Sequence, residues 1–147
     1  MGLFRMIGIS SSGLTAERLR MDIISQNIAN ANTTRTSSGT PYRRKVPIFR
    51  EIPKNTTFSQ VLENAQNGNV IGNGVEVKAI KEVQSPFKRV YDPGHPDADA
   101  QGYVQMPNVD IVTEMVDMIS AARAYEANVT AINAAKSMAM KALEIGK

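Results

Sequence analysis

The sequence predicts an α+β fold in which long N- and C-terminal helices pair as a coiled coil around a small β-rich or irregular central insert. Three observations predict it. Positions 3, 7, 10, 14, 17, 21, 24, 28 and 31 step alternately by four and three, and Leu3, Ile7, Leu14, Met21, Ile24, Ile28 and Ala31 are apolar there. Only Ser10 and Glu17 interrupt that stripe, which is the spacing of a helical seam. The same spacing returns through Ile111, Met115, Met118, Ala122, Tyr125, Val129, Ile132, Lys136, Ala139 and Leu143, with Lys136 the one polar residue. Between the seams, glycine, proline and short alternating stretches replace helical periodicity. The chain therefore divides into residues 1–34, 35–107 and 108–147, and the two ends need each other.

Within the first helix, Ser10-Ser11-Ser12-Gly13 weakens the pattern. A glycine there costs about 1 kcal/mol against alanine, so the regular helix is expected to begin near Leu14. Asn27, Asn30, Asn32, Thr33 and Thr34 then offer short polar side chains that compete for backbone hydrogen bonds, and the helix is expected to stop by Asn32. Residues 45–52 can extend, but Pro47 and Pro53 confine them to an edge. Val70-Ile71, then Gly72-Asn73-Gly74, then Val75, Val77 and Ala79 alternating with charged residues read as a hairpin with positive φ angles at Asn73-Gly74. Phe87 to Tyr91 reads as one more strand, and Asp92-Pro93-Gly94-His95-Pro96 enforces a loop. The last helix carries Asp110, Glu114 and Asp117 early and Lys136, Lys141 and Lys147 late, matching its dipole at both ends.

Composition narrows the function by exclusion. The 147 residues carry a net charge of +3, divided as +1, +3 and −1 over the three segments, too little and too dispersed for a nucleic-acid partner. Cysteine is absent, which removes disulfides, thiolate metal sites and thiol catalysis. Arg5, Ser10 to Ser12, Glu17 and Arg18 break up the first apolar stretch, so no cleaved signal peptide is expected. No stretch approaches the ~20 apolar residues of a membrane span. His95 stands beside Asp92, Asp97 and Asp99 without a ligand or acid-base pattern, so neither a metal, a cofactor nor a small-molecule substrate is expected. Two amphipathic helices with alanine on several faces, among them Ala121, Ala124, Ala127, Ala131 and Ala135, fit close approach by more than one neighbouring helix. Two non-enzymatic readings follow: a subunit that polymerises through its paired ends, or a small adaptor or membrane-surface protein binding through them.

The residues also carry a family likeness. Ser12-Gly13-Leu14, Arg18, Asn27-Ile28-Ala29-Asn30 and Thr33, together with Asn108-Val109-Asp110, Glu114-Met115 and Arg123-Ala124-Tyr125-Glu126-Ala127-Asn128, resemble the bacterial flagellar rod, hook and hook-associated axial proteins. Tyr91-Asp92-Pro93, His95-Pro96-Asp97-Ala98, Gly102-Tyr103-Val104 and Met106-Pro107-Asn108, in so short a chain, narrow the likeness to the proximal-rod members. The resemblance implies a non-enzymatic subunit of the basal-body rod, exported through the flagellar type III apparatus without signal cleavage. It implies helical stacking in the periplasm with copies of itself and other rod proteins, above the basal-body base, into a hollow torque-transmitting shaft. The terminal helices would line the inner tube and the insert would pack outside them.

Several side chains keep two readings at this stage. Asn27 and Asn30 can cap the first helix or bond a neighbouring subunit. Tyr125 can be ordinary core or an intersubunit anchor. Arg123 and Glu126 can be solvated or paired across subunits. Arg43-Arg44-Lys45 reads as a solvated loop rather than a phosphate site.

Overall fold

A computed structural model describes residues 2–53 and 72–145, with side chains described from Phe4 to Pro53 and from Gly72 to Glu144. Helix α1 (Gly2–Ala29) is followed by strands β1 (Lys45–Glu51), β2 (Val75–Glu82), β3 (Lys88–Tyr91) and β4 (Tyr103–Met106), and the chain closes with helix α2 (Ile111–Ile145). Two long helices thus bracket two small sheets, the α+β arrangement the sequence predicts. The parts of that reading that fall on Val70, Ile71, Lys147 and the Leu3 side chain lie outside the described residues.

Helix α1 runs unbroken through Ser10-Ser11-Ser12-Gly13, which corrects the expected start near Leu14. The hydroxyls turn back onto the helix itself: Ser12 Oγ donates to the Ile9 carbonyl at 2.6 Å and Thr15 Oγ1 to the Ser11 carbonyl at 3.2 Å. Gly13 is present because α2 comes close there. A Cβ at that position would meet the Asn128 side-chain amide at 3.0 to 3.2 Å. The helix ends at Ala29, and the Asn30 side chain donates back to the Gln26 carbonyl at 2.8 Å while Thr33 Oγ1 donates to Asn30 Oδ1 at 3.2 Å. Helix α2 begins on Asp110, whose Oδ1 accepts the Val112 N–H at 3.1 Å, so this residue is the N-cap rather than part of the first turn. The last described turn holds no basic residue, and Lys141 pairs with Glu144 at 2.7 Å instead of complementing the dipole.

The two helices are antiparallel, a sense the sequence left open. Asn27 meets Glu114, Arg20 meets Asp117 and Gly13 lies against Asn128, so α1 positions fall as α2 positions rise. Their contact face is rotated from the expected one. Glu114, Ala121 and Ala135 are fully buried and Met118, Tyr125, Asn128, Ile132 and Ala139 half-buried, the same three-and-four stepping displaced by one residue at alternate positions. Ile111, Met115 and Leu143, expected in the seam, are instead 43%, 55% and 72% exposed. Ala122 and Val129 sit at the border of the contact, half-buried. Gly13, Ala16, Ala121 and Ala135 let the helices approach closely. On α1 the deepest positions are Ala16, Ile23, Ile24 and Asn27, with Ile7, Leu14, Met21 and Ile28 half-buried.

Strands β1 and β2 pair antiparallel from Lys45↔Glu82 to Glu51↔Val75, with an irregularity after Ile48. Pro47 is tolerated because each strand of a two-stranded sheet is an edge. The described partner of β2 is β1, distant in sequence. Of the Asn73-Gly74 turn only Gly74 has a positive φ, at 99°. Strands β3 and β4 pair from Lys88↔Met106 to Tyr91↔Tyr103. Strand β4 was hidden in what reads as loop sequence, yet Val104 is 1% exposed. The connection between them is held by Gly102 at φ 79° and by Asp99, whose carboxyl the Tyr103 N–H, with those of Gln101 and Arg89, holds below its ordinary value. At the joint between helices and insert, Ala31, Tyr42 and Val109 form a small apolar cluster.

Candidate functional site

The most constrained point of the molecule is polar. Asn27 and Glu114 expose no surface at all, and they face each other across the helix pair with Asn27 Nδ2 donating to Glu114 Oε2 at 2.9 Å. The rest of the Asn27 amide is fully used. Nδ2 also donates to the Lys45 carbonyl at 2.8 Å, and Oδ1 accepts from Lys45 N–H at 2.9 Å and from the Tyr42 hydroxyl at 3.0 Å. The other Glu114 oxygen accepts from Arg44 Nε, and the same guanidinium donates to Asp117 Oδ2 at 3.0 Å. Arg20 completes the chain on Asp117 Oδ1 at 3.4 Å. Two buried polar groups that would be expensive alone are thereby satisfied by partners from both helices and the start of β1. Burial, reinforced by the carboxylates of Glu114 and Glu82, pushes the Tyr42 hydroxyl above its ordinary value of 10.0.

Two further contacts dock the insert on the helices. Ser12 Oγ accepts the Val75 N–H at 3.0 Å, and a Cβ on Gly74 would run into that hydroxyl. Arg5 donates to Asn73 Oδ1 at 3.3 Å. At the other end, Asn108 Oδ1 accepts the Arg44 N–H at 2.8 Å while its Nδ2 donates to the Val83 carbonyl at 2.9 Å and Ser85 Oγ at 2.8 Å. Helices and insert are thus tied at both ends of β2.

Opposite the paired face, α2 presents Ile111, Val112, Met115, Val116 and Ile119 to solvent, Val112 being 71% exposed. Phe4, Met6, Met138, Met140 and Leu143 are likewise exposed near the far end of the helix pair. No described helix is long and apolar enough to cross a membrane. Among the described residues no group of three or more His, Cys, Asp or Glu side chains is placed to hold a metal.

Within the chain, the side chains with two readings are placed as follows. Asn27 neither caps its helix nor points outward but joins the buried network. Asn30 and Thr33 serve the helix end, Asp110 caps α2, and Asn128 donates to the Ala124 carbonyl at 2.9 Å while lying against Gly13. Arg123 and Glu126 pair with each other at 3.0 Å on the exposed surface, and Arg18 is exposed. Tyr125 is half-buried in the helix contact. Tyr42, Arg44 and Lys45 were missed as site residues. The signal available for Arg44 was Glu114 itself, one step from an apolar seam and in need of a cation.

The comparisons with known proteins agree along the whole chain. A family described as "Flagella basal body rod protein" matches residues 7–35, and one described as "Flagellar basal body rod FlgEFG protein C-terminal" matches residues 100–145. The flagellar basal-body rod protein FlgC of Bacillus subtilis (strain 168) is 51% identical, covering 100% of each chain. FlgC of Borreliella burgdorferi is 52% identical over 99% of this chain and 98% of its own, and FlgC of Aquifex aeolicus 40% identical over 100% and 99%. Rod proteins matching end to end do not favour the adaptor or membrane-surface reading.

Proposed function

Because this chain belongs to the FlgC family of flagellar basal-body rod proteins, we propose that it works as a structural, non-enzymatic rod subunit whose exposed helix faces are covered by neighbouring subunits. The observation that carries this is the outer face of α2, where Ile111, Val112, Met115, Val116 and Ile119 stand in water on a helix whose paired face is already satisfied. Apolar side chains contribute about 1.5 to 3 kcal/mol each when fully buried, so five on one face are a large reserve that only association releases. Interfaces repeated without closure build a tube or filament, the geometry a rod requires. Neighbours are copies of this chain and other rod proteins.

The periplasmic position, passage through the flagellar export apparatus without signal cleavage, and contact with the basal-body base belong to the same proposal and rest on family membership. So does the grouping of residues 1–34 and 108–147 as one assembling unit with 35–107 as its appendage. Replacing Met115 by Asp tests the interface. The expected result is a chain that is folded and exported at parental levels in cells that do not swim. Parental swimming would overturn the proposal.

A further inference from the structure

We propose that Asn27, Glu114 and Arg44 form a register lock, selecting one antiparallel alignment of α1 on α2 from the heptad-shifted alternatives and making that alignment conditional on the seating of β1. The argument starts from what the rest of the seam lacks. Beyond the buried Ile23 and Ile24 next to the lock, the seam is lined by small residues, with Gly13 and Ala16 on α1 and Ala121 and Ala135 on α2. Small residues facing small residues allow close approach but distinguish poorly between alignments. A slide of seven residues brings Gly13 opposite Ala121 or Ala135 instead of Asn128, a smaller side chain that the glycine accommodates without a clash.

The lock tolerates no such slide. Asn27 makes four hydrogen bonds, two of them to the Lys45 backbone, and Glu114 receives one from Asn27 and one from Arg44. A slide of α2 parts Glu114 from both of its donors, Asn27 and Arg44, while Asn27 keeps the Lys45 backbone and the Tyr42 hydroxyl, so the cost falls on a carboxylate that the native alignment buries fully. A single buried polar position fixing register is a known device in coiled coils. Here it reaches further, because Lys45 is the first residue of β1 and Tyr42 and Arg44 precede it. The helix pair cannot satisfy Asn27 until this segment has arrived, so helix pairing and insert docking become one event.

The absence of native cysteine makes the test direct. Full-length chains carrying Gly13→Cys with Asn128→Cys report the native alignment, and Gly13→Cys with Ala121→Cys or Ala135→Cys report the shifted ones. In the parent background only the first pair is expected to oxidise to an internal disulfide. With Asn27→Leu, Glu114→Leu and Arg44→Met together, helicity measured by circular dichroism is expected to persist while the shifted pairs oxidise at least tenfold faster. Glu114→Gln is the near-isosteric check should the triple variant not fold. It turns one acceptor oxygen into an NH2 group and is expected to raise shifted oxidation severalfold. Shifted pairs that stay unreactive in Glu114→Gln, or a parent chain that oxidises shifted and native pairs alike, would overturn the lock.

Discussion

Asn27 on α1 donates to Glu114 on α2 over 2.9 Å at a place where neither side chain reaches water. With Arg20 on Asp117 and Gly13 against Asn128 this contact defines the antiparallel sense of the helix pair, and it sits at the hub of bonds to Tyr42, Arg44 and Lys45. Truncating Asn27 to Ala removes four hydrogen bonds and leaves Glu114 short of a donor in a buried setting. The expected loss is about 3 kcal/mol of unfolding free energy. Urea denaturation followed by far-UV circular dichroism measures it, and a loss below about 1 kcal/mol would show the network to be dispensable.

Gly13 is kept by its neighbour rather than by its backbone, which is ordinary helix. A Cβ there meets the Asn128 amide at 3.0 to 3.2 Å. Gly13→Ala in an Asn128→Ala background is expected to gain about 1 kcal/mol from helix propensity. Gly13→Leu in the parent chain is expected to lose about 1 to 3 kcal/mol through overpacking. The two thermal unfolding midpoints should move in opposite directions.

Met115 and Ile132 belong to one sequence stripe but to different surfaces. Met115 is 55% exposed, whereas Ile132 is half-buried in the helix contact. Met115→Asp is expected to change monomer stability by less than about 0.5 kcal/mol. Ile132→Asp is expected to lower it by about 2 to 4 kcal/mol, since a charge enters the contact without a partner. Equal losses in the purified chains would mean that the outer face is also internal core.

Tyr42 gives the stability an alkaline limb. Its hydroxyl is raised above 10.0 in the folded chain, first by burial and then by the charges of Glu114 and Glu82. The folded state therefore holds this proton more tightly than the unfolded one. The associated stability is complete below pH 10 and is lost as the pH climbs through the raised value. Parent chain and Tyr42→Phe are expected to differ in the slope of unfolding free energy above pH 10, the parent falling more steeply. Parallel slopes would place Tyr42 in an open environment.

The stepping of apolar residues from Leu3 to Ala31 and from Ile111 to Leu143 was enough to specify two long helices that pair, because helical periodicity is a local property of the chain. The Pro47 edge and the positive φ of Gly74 were legible for the same reason. The face used for pairing was not. Periodicity shows which sides of a helix are apolar, but not which of them has a partner within the chain. α2 has two such sides, the small-residue side turned to α1 and the large-residue side turned outward. Tertiary structure also decided that Asn27 and Glu114 belong inside, since the donors that make their burial possible come from Tyr42, Arg44 and Lys45, remote from Glu114 in sequence. The pairing of β2 with β1 is a long-range choice of the same kind. Local pattern set the elements, and the satisfaction of buried polar groups set how they meet.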